Sequence, residues 1–176
     1  MTLPVRTARV DAANAAASFA ETAERHLDDV YGYLVYLTRD PALSEDLTAE
    51  TFEKALKLWR RFDARRASAR TWLCQIARTT ALDWFRAEER RRRREERVAP
   101  PERLDVQLAE GLSPELEAAL ASLSAGEREV IALRVLLELD GEEAARVLGV
   151  SPTAVSNRLS RALKKLEERM DAHVPV

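Results

Sequence analysis

Within Leu148-Gly149-Val150-Ser151-Pro152 one helix has to end and another has to begin. Gly149 accepts the left-handed backbone common just past a helix C-terminus. Ser151 suits the N-cap of the next helix, and Pro152 suits its first turn, where a missing N–H removes no hydrogen bond. Upstream, Asp140 can cap the first of these helices, with Glu143 completing a capping-box pair. Two helices on so short a turn define a helix-turn-helix. No other feature of the chain constrains its fold as tightly.

The second helix of this pair divides cleanly. At helical spacing Val155, Leu159, Ala162, Leu163 and Leu166 form an inward stripe. The opposite face carries Thr153, Ser156, Asn157, Ser160, Arg161 and Lys164, with Arg158 and Lys165 at its edge, and no carboxylate. Asn and Arg can make bidentate contacts to base edges, while Ser, Thr and Lys hold phosphates. A solvated structural helix in a chain with 33% charged residues would ordinarily carry glutamate there. The pattern favours DNA recognition over a structural hairpin.

The remaining sequence is also helical in character, with only five glycines in 176 residues. Residues 1–18 lack firm periodicity and are expected to be a mobile tail. A helix is expected over Phe19–Thr38 with Leu27, Tyr31, Leu34 and Val35 inward, and a second from Pro41 to about Arg61 with Leu43, Leu47, Phe52, Leu56 and Trp59 inward. A third begins near Arg70, with Leu73, Ile76, Ala77, Thr80 and Trp84 on one face, and can run on through Arg90–Arg97. Pro100-Pro101 ends it. The expected organisation is all-α: a helical domain over 19–97, a flexible linker over 98–112, a helix-turn-helix domain over 113–170 and a tail over 171–176. With no apolar stripe evident to join the halves, the domains are expected to move independently.

Charge is segregated along this plan. Residues 58–100 carry net +7 and residues 101–143 net −8, while the whole chain is only −2. Two basic zones flanking an acidic one suit two contacts with a polyanion. A single cysteine, Cys74, excludes a disulfide framework and a Cys-rich zinc module, and it reads as a small core residue. His26 and His173 have no metal-ligand spacing with it. No phosphate loop, nucleophile elbow or membrane span is present. The expectations are no catalytic residue, no metal, no cofactor and no membrane insertion. Phe62, among Arg60, Arg61, Arg65, Arg66 and Arg70, reads either as core or as an aromatic platform for an unstacked base.

Three segments then acquire a common meaning. Ser44-Glu-Asp-Leu-Thr-Ala-Glu-Thr-Phe52, Arg70-Thr-Trp-Leu-Cys-Gln-Ile-Ala-Arg78 with Ala81-Leu-Asp83 and Arg86, and Glu142-Glu-Ala-Ala145 through Leu148-Gly-Val-Ser151 and Arg161-Ala162 occur in the order and spacing of one family. The chain resembles the extracytoplasmic-function sigma factors over about Phe19–Arg169. Ala49 stands where that family has Gln, Thr79 where it has Asn, and Ser124 where it has Pro.

The resemblance implies a cytoplasmic subunit of bacterial RNA polymerase that selects promoters and helps open them. It is expected to be a monomer when free and to have an anti-sigma factor as a further partner. It implies core-polymerase docking by Asp46, Leu47, Glu50 and Glu53. It assigns the promoter −10 element to Phe62, Arg65, Arg66, Ser68, Arg70, Gln75, Arg78 and Thr79. The −35 element falls to Thr153, Ser156, Asn157, Arg158, Ser160, Arg161, Lys164 and Lys165. A stand-alone helix-turn-helix regulator is the competing function, and it leaves the two amino-terminal motifs without a role.

Overall fold

A computed structural model describes residues 5–95 and 113–171, with side chains for 18–94 and 113–171. Among these residues there are helices and turns and no strand. The expected linker over 98–112 lies outside them, as do residues 1–4 and 172–176.

Helix α1 runs from Val5 to Thr38. It takes in most of the segment expected to be a tail, because residues 5–18 contain neither Gly nor Pro and are rich in Ala. Arg39 ends it with φ 57°, donating its backbone N–H to Val35 O at 2.8 Å. Asp40 then caps α2 (Pro41–Leu58), its carboxylate accepting from Leu43 N at 3.0 Å. A single 3-10 turn, Trp59–Arg61, leads into the arginine-rich loop and α3 (Ala69–Glu95).

The three helices pack around Val30, Tyr33, Leu34, Leu47, Leu73, Cys74, Ile76 and Ala77, all buried. Burying each large aliphatic side chain contributes about 1.5–3 kcal/mol. Cys74 is fully enclosed, and burial, with a lesser push from Asp29, raises its thiol to about 12. It is an inert core residue.

Four expected core positions face solvent instead: Leu27, Leu56 and Leu163 are about half exposed, and Trp84 lies on the surface. Periodicity identified the helix faces, but the neighbouring helices cover only part of each apolar stripe on α1, α2, α3 and the last helix of the chain.

The second domain begins at Ser113, whose hydroxyl accepts from Leu116 N at 3.3 Å to cap α4 (Pro114–Ala121). Ser124 and Glu127 form a capping box for α5 (Ala125–Ile131), which continues as a π-helical stretch over Ala132–Leu136. Asp140 and Glu143 cap α6 (Gly141–Leu148) as expected, and Gly149 ends it at φ 67°. Ser151 caps α7 (Pro152–Asp171), accepting from Ala154 N at 3.2 Å.

The domains are not independent in this structure. Helix α3 lies along α6, α1 lies along α5, and buried residues of both halves form one connected core. The end of α1 and the middle of α3 supply apolar surface at the seam, where Leu37, Ala81, Leu82 and Phe85 line a cavity together with Ala125.

Candidate nucleic-acid interface

The exposed face of α7 keeps its predicted composition. Thr153, Ser156, Asn157, Ser160, Arg161 and Lys164 are all exposed, and Val155 and Ala162 anchor the opposite side in the core. Arg161 Nε donates to Asn157 O at 3.3 Å, a weak local bond that a better acceptor can displace.

The two edge residues are engaged elsewhere. Arg158 is half-buried and lies over Gly126 at the start of α5. Lys165 Nζ donates to Glu127 Oε1 at 2.6 Å. That bond, with the Ser124 backbone N–H, holds the Glu127 carboxyl at about 2. Arg158 and Lys165 therefore help position α7 on α5.

The first domain presents a different surface. Asp63 organises the arginine-rich loop as a local turn, its carboxylate accepting from Arg65 N at 3.0 Å. This leaves Arg65 and Arg66 exposed. Phe62 stacks on Trp59 with centroids 5.0 Å apart and tilts against Trp72 at 5.1 Å. Phe62 is thus partly core, packed on Trp59, and it also lines a pocket of about 380 Å³ with Arg61, Asp63, Arg66, Trp72 and Gln75. An aromatic floor with a cationic rim suits an unstacked base and its phosphate.

Ser68 has a structural task as the α3 cap, its hydroxyl accepting from Thr71 N at 3.2 Å. Thr79 is exposed, and Arg70 is half-buried.

Three of the expected −10 residues already have partners in the second domain. Ser68 Oγ donates to Glu143 Oε1 at 2.9 Å, and buried Thr71 donates to the same oxygen at 2.8 Å. Gln75 Nε2 donates to Arg146 O at 3.0 Å. Arg78 Nε donates to Glu129 Oε1 at 2.7 Å, and Tyr33 Oη reaches that oxygen at 3.1 Å. Burial raises the Tyr33 hydroxyl well above its ordinary range, and the Glu129 charge adds to the effect. Burial also pushes the Glu143 carboxyl up, but the bonds from Thr71, the Asp140 backbone and Ser68 outweigh it and hold that group below the usual carboxylate range.

Tyr33, Thr71, Glu129, Glu143 and Arg146 carried no signal for this surface in the sequence. Glu143 was legible as half of a capping box, which it also forms.

On the outer face of α2, Asp46, Glu50 and Glu53 are exposed. Leu47 is not: at 1% exposure it belongs to the core and cannot meet a partner as expected, because it falls on the α2 stripe facing α3. Beside the carboxylates, Leu27, Tyr31, Thr48, Ala49 and Phe52 line an apolar groove of about 480 Å³ between α1 and α2, with Asp28 and Glu45 at its margin.

The described residues thus present a cationic and polar face on α7, an aromatic pocket rimmed by arginines beside the loop, and an apolar groove between α1 and α2 with carboxylates at its margin. Comparison with known proteins supplies the family. Residues 22–91 match sigma-70 region 2 and residues 113–166 match sigma-70 region 4. The chain is 32% identical over 155 residues to the extracytoplasmic-function (ECF) RNA polymerase sigma factor SigX of Bacillus subtilis, covering 81% of this chain and 78% of that one.

Two solved structures share the fold. The sigma factor RpoE of Bartonella quintana, in complex with the anti-sigma factor NepR, superposes with a TM-score of 0.77 at 24% identity, covering 89% of this chain and 98% of that one. CnrH, in complex with the cytosolic domain of CnrY, superposes with a TM-score of 0.66 at 28% identity, covering 94% and 97%.

The chain belongs to the ECF sigma factors, and its function is that of an alternative sigma factor in transcription initiation. That family consists of non-enzymatic initiation factors. Among the described residues no group of His, Cys, Asp and Glu could hold a metal ion, and no helix is long and apolar enough to cross a membrane.

Proposed function

We propose that this sigma factor divides promoter recognition between two surfaces and docks on polymerase with a third. The exposed face of α7 enters the major groove of the −35 element, with Asn157 and Arg161 at base edges and Thr153, Ser156, Ser160 and Lys164 on phosphates. The −10 strand is taken by the loop and α3: a base unstacks into the pocket floored by Phe62 and Trp72, while Arg65, Arg66, Gln75, Arg78 and Thr79 meet the backbone and base edges. The groove of α1 and α2, with Asp28 and Glu45 at its margin, receives an amphipathic, basic helical element of core RNA polymerase, and the exposed Asp46, Glu50 and Glu53 beside it on α2 add charge complementarity.

The observation that carries this reading is the exposed face of α7, which is cationic and polar over three turns and has no carboxylate until Glu167. The protein acts in the cytoplasm as a monomer when free, without catalysis, metal or cofactor, and an anti-sigma factor is a second partner. RpoE, which shares the fold, was solved in complex with an anti-sigma factor, and CnrH was solved in complex with the cytosolic domain of CnrY.

The docking surface is tested by Asp46→Arg combined with Glu50→Arg. Like-charge juxtaposition at an interface costs several kcal/mol, so affinity for core polymerase should fall by about 100-fold or more. Transcription should fall with it and helical content should not change. Unaltered affinity would remove the polymerase from this face, and a transcript-free protein that still binds specific duplex DNA would favour the stand-alone regulator.

A further inference from the structure

The end of α1 carries an arginine where the backbone favours glycine. Arg39 stands at φ 57°, in the left-handed region that an L side chain enters only at a cost. Its guanidinium Nε and Nη2 are buried without a hydrogen-bond partner among the described residues. Three residues earlier, Tyr36 is 6% exposed, and its hydroxyl is likewise buried and unpartnered. Strained backbone clusters at ligand sites, and orphaned buried donors call for an explanation.

A second arginine acts on the same place. Arg128, half-buried on α5, bears on the Tyr36 hydroxyl together with Arg39. Burial holds Arg128 below its ordinary range, and the Arg39 field lowers it further. The neighbouring carboxylates are already taken: Glu129 pairs with Arg78, Glu127 pairs with Lys165, and Asp40 accepts from Leu43 N. Burial pushes the Tyr36 hydroxyl up to about 12 although both arginines pull it down. At neutral pH it therefore keeps its proton and remains a donor.

These groups border a cavity. Leu37, between Tyr36 and Arg39 in sequence, lines about 290 Å³ of space with Leu82, Phe85 and Arg128. Its one lining carboxylate, Glu129, is held by Arg78 and Tyr33. We infer that Tyr36, Arg39 and Arg128 form a binding site for a small phosphate monoester whose apolar ring occupies this cavity. The site lies apart from the surfaces assigned above to promoter DNA and core polymerase, and none of its three donors is shared with them.

The charge and the donor count select the ligand. A phosphate monoester carries about −1.5 to −2 at pH 7 and three strong acceptor oxygens. Two guanidinium charges match that dianion, whereas a carboxylate would neutralise only one of them. The three orphaned donors, Arg39 Nε, Arg39 Nη2 and Tyr36 Oη, match its three oxygens. Leu37, Leu82 and Phe85 offer the ester group an apolar wall. At about 290 Å³ the cavity lies at the lower end of small-molecule sites, which limits that group to about one ring system. The Glu129 charge disfavours a second anionic group on the ring.

The test uses the full chain, with phenyl phosphate as the probe in titration calorimetry and urea unfolding. Phenyl phosphate should bind at one site with a Kd below about 1 mM and move unfolding to higher urea concentration. Inorganic phosphate lacks the ring and should bind at least about tenfold more weakly. Benzyl alcohol lacks the charge and should not bind measurably. Arg39→Gly removes the guanidinium and the backbone strain together. It should bind phenyl phosphate at least about tenfold more weakly, yet without ligand unfold at no lower urea concentration than the parent.

Tyr36→Phe and Arg128→Gln should also weaken binding, whereas Arg25→Gln, at an exposed position earlier on α1, should leave it unchanged. Affinity retained in both Arg39→Gly and Tyr36→Phe would overturn the site, as would the lack of saturable binding up to about 10 mM phenyl phosphate. Equal affinities for phenyl phosphate and inorganic phosphate would overturn the ring-bearing ligand and the part given to the cavity.

Discussion

Lys164 and Lys165 are adjacent and chemically identical, yet the structure gives them different work. Lys164 is 75% exposed and 3.8 Å from Glu168, a loose surface pair of little energetic consequence. Lys165 donates at 2.6 Å to Glu127, whose side chain is 9% exposed. Replacing Lys164 by Ala should therefore remove one phosphate contact, flattening the log–log salt dependence of promoter binding by about 0.9. Between about 50 and 200 mM salt, the parent should lose about 3.5-fold more affinity than the variant.

Lys165→Ala should leave that slope nearly unchanged and instead lower stability at pH 7 by about 1 kcal/mol, a modest figure because the lysine is half exposed. The pH dependence gives a second check. Glu127 has a folded-state pKa depressed to about 2, so its bond to Lys165 stabilises the fold above the ordinary carboxylate range near pH 4.5. That contribution disappears as pH falls towards 2, and the parent and Lys165→Ala should converge there.

Anisotropy of labelled promoter duplex with the core-bound protein over a salt series measures the slopes, and urea unfolding at pH 7, 4 and 2.5 measures the stabilities. If Lys165→Ala flattened the slope as much as Lys164→Ala and left stability at pH 7 untouched, the Glu127 bond would not exist in solution. The division of α7 into reader and anchor would then be wrong.

Reading and anchoring should also separate along α7. Asn157→Ala and Arg161→Ala should relax base preference at particular −35 positions by about 1–3 kcal/mol, measured by transcription from a library randomised at that element; retained preferences would make α7 an anchor alone. The turn before it can be probed through its glycines. Gly149→Ala should destabilise by about 1–2 kcal/mol, because φ 67° is unfavourable to any Cβ even though nothing lies within 4 Å. Gly141→Ala, with the same open space and no positive φ, should stabilise by about 0.5 kcal/mol, and equal effects of the two substitutions in chemical denaturation would refute the backbone argument.

The sequence by itself determined most of the helices, the caps around the helix-turn-helix and the composition of the exposed face of α7. Asp140, Gly149 and Ser151 act within four residues of themselves, so local rules were sufficient to place them. The cationic face of α7 was equally legible, because helical spacing assigns exposure once the apolar stripe is known.

Tertiary structure decided what the remaining faces touch. Tyr33 meets Glu129, and Thr71 meets Glu143, across 96 and 72 positions of chain. Such a pairing depends on how two finished domains fit, and helical periodicity is silent about the fit. For the same reason Leu27, Leu56, Trp84 and Leu163 were expected inside and stand outside, while Leu47 was expected to meet a partner and fills the core. A helix's sequence shows that one side is apolar; only the shape and charge of the neighbouring surface determine how much of that side is covered. Glu143 shows the difference in one residue, with one carboxylate oxygen completing the local cap and the other closing the domains together.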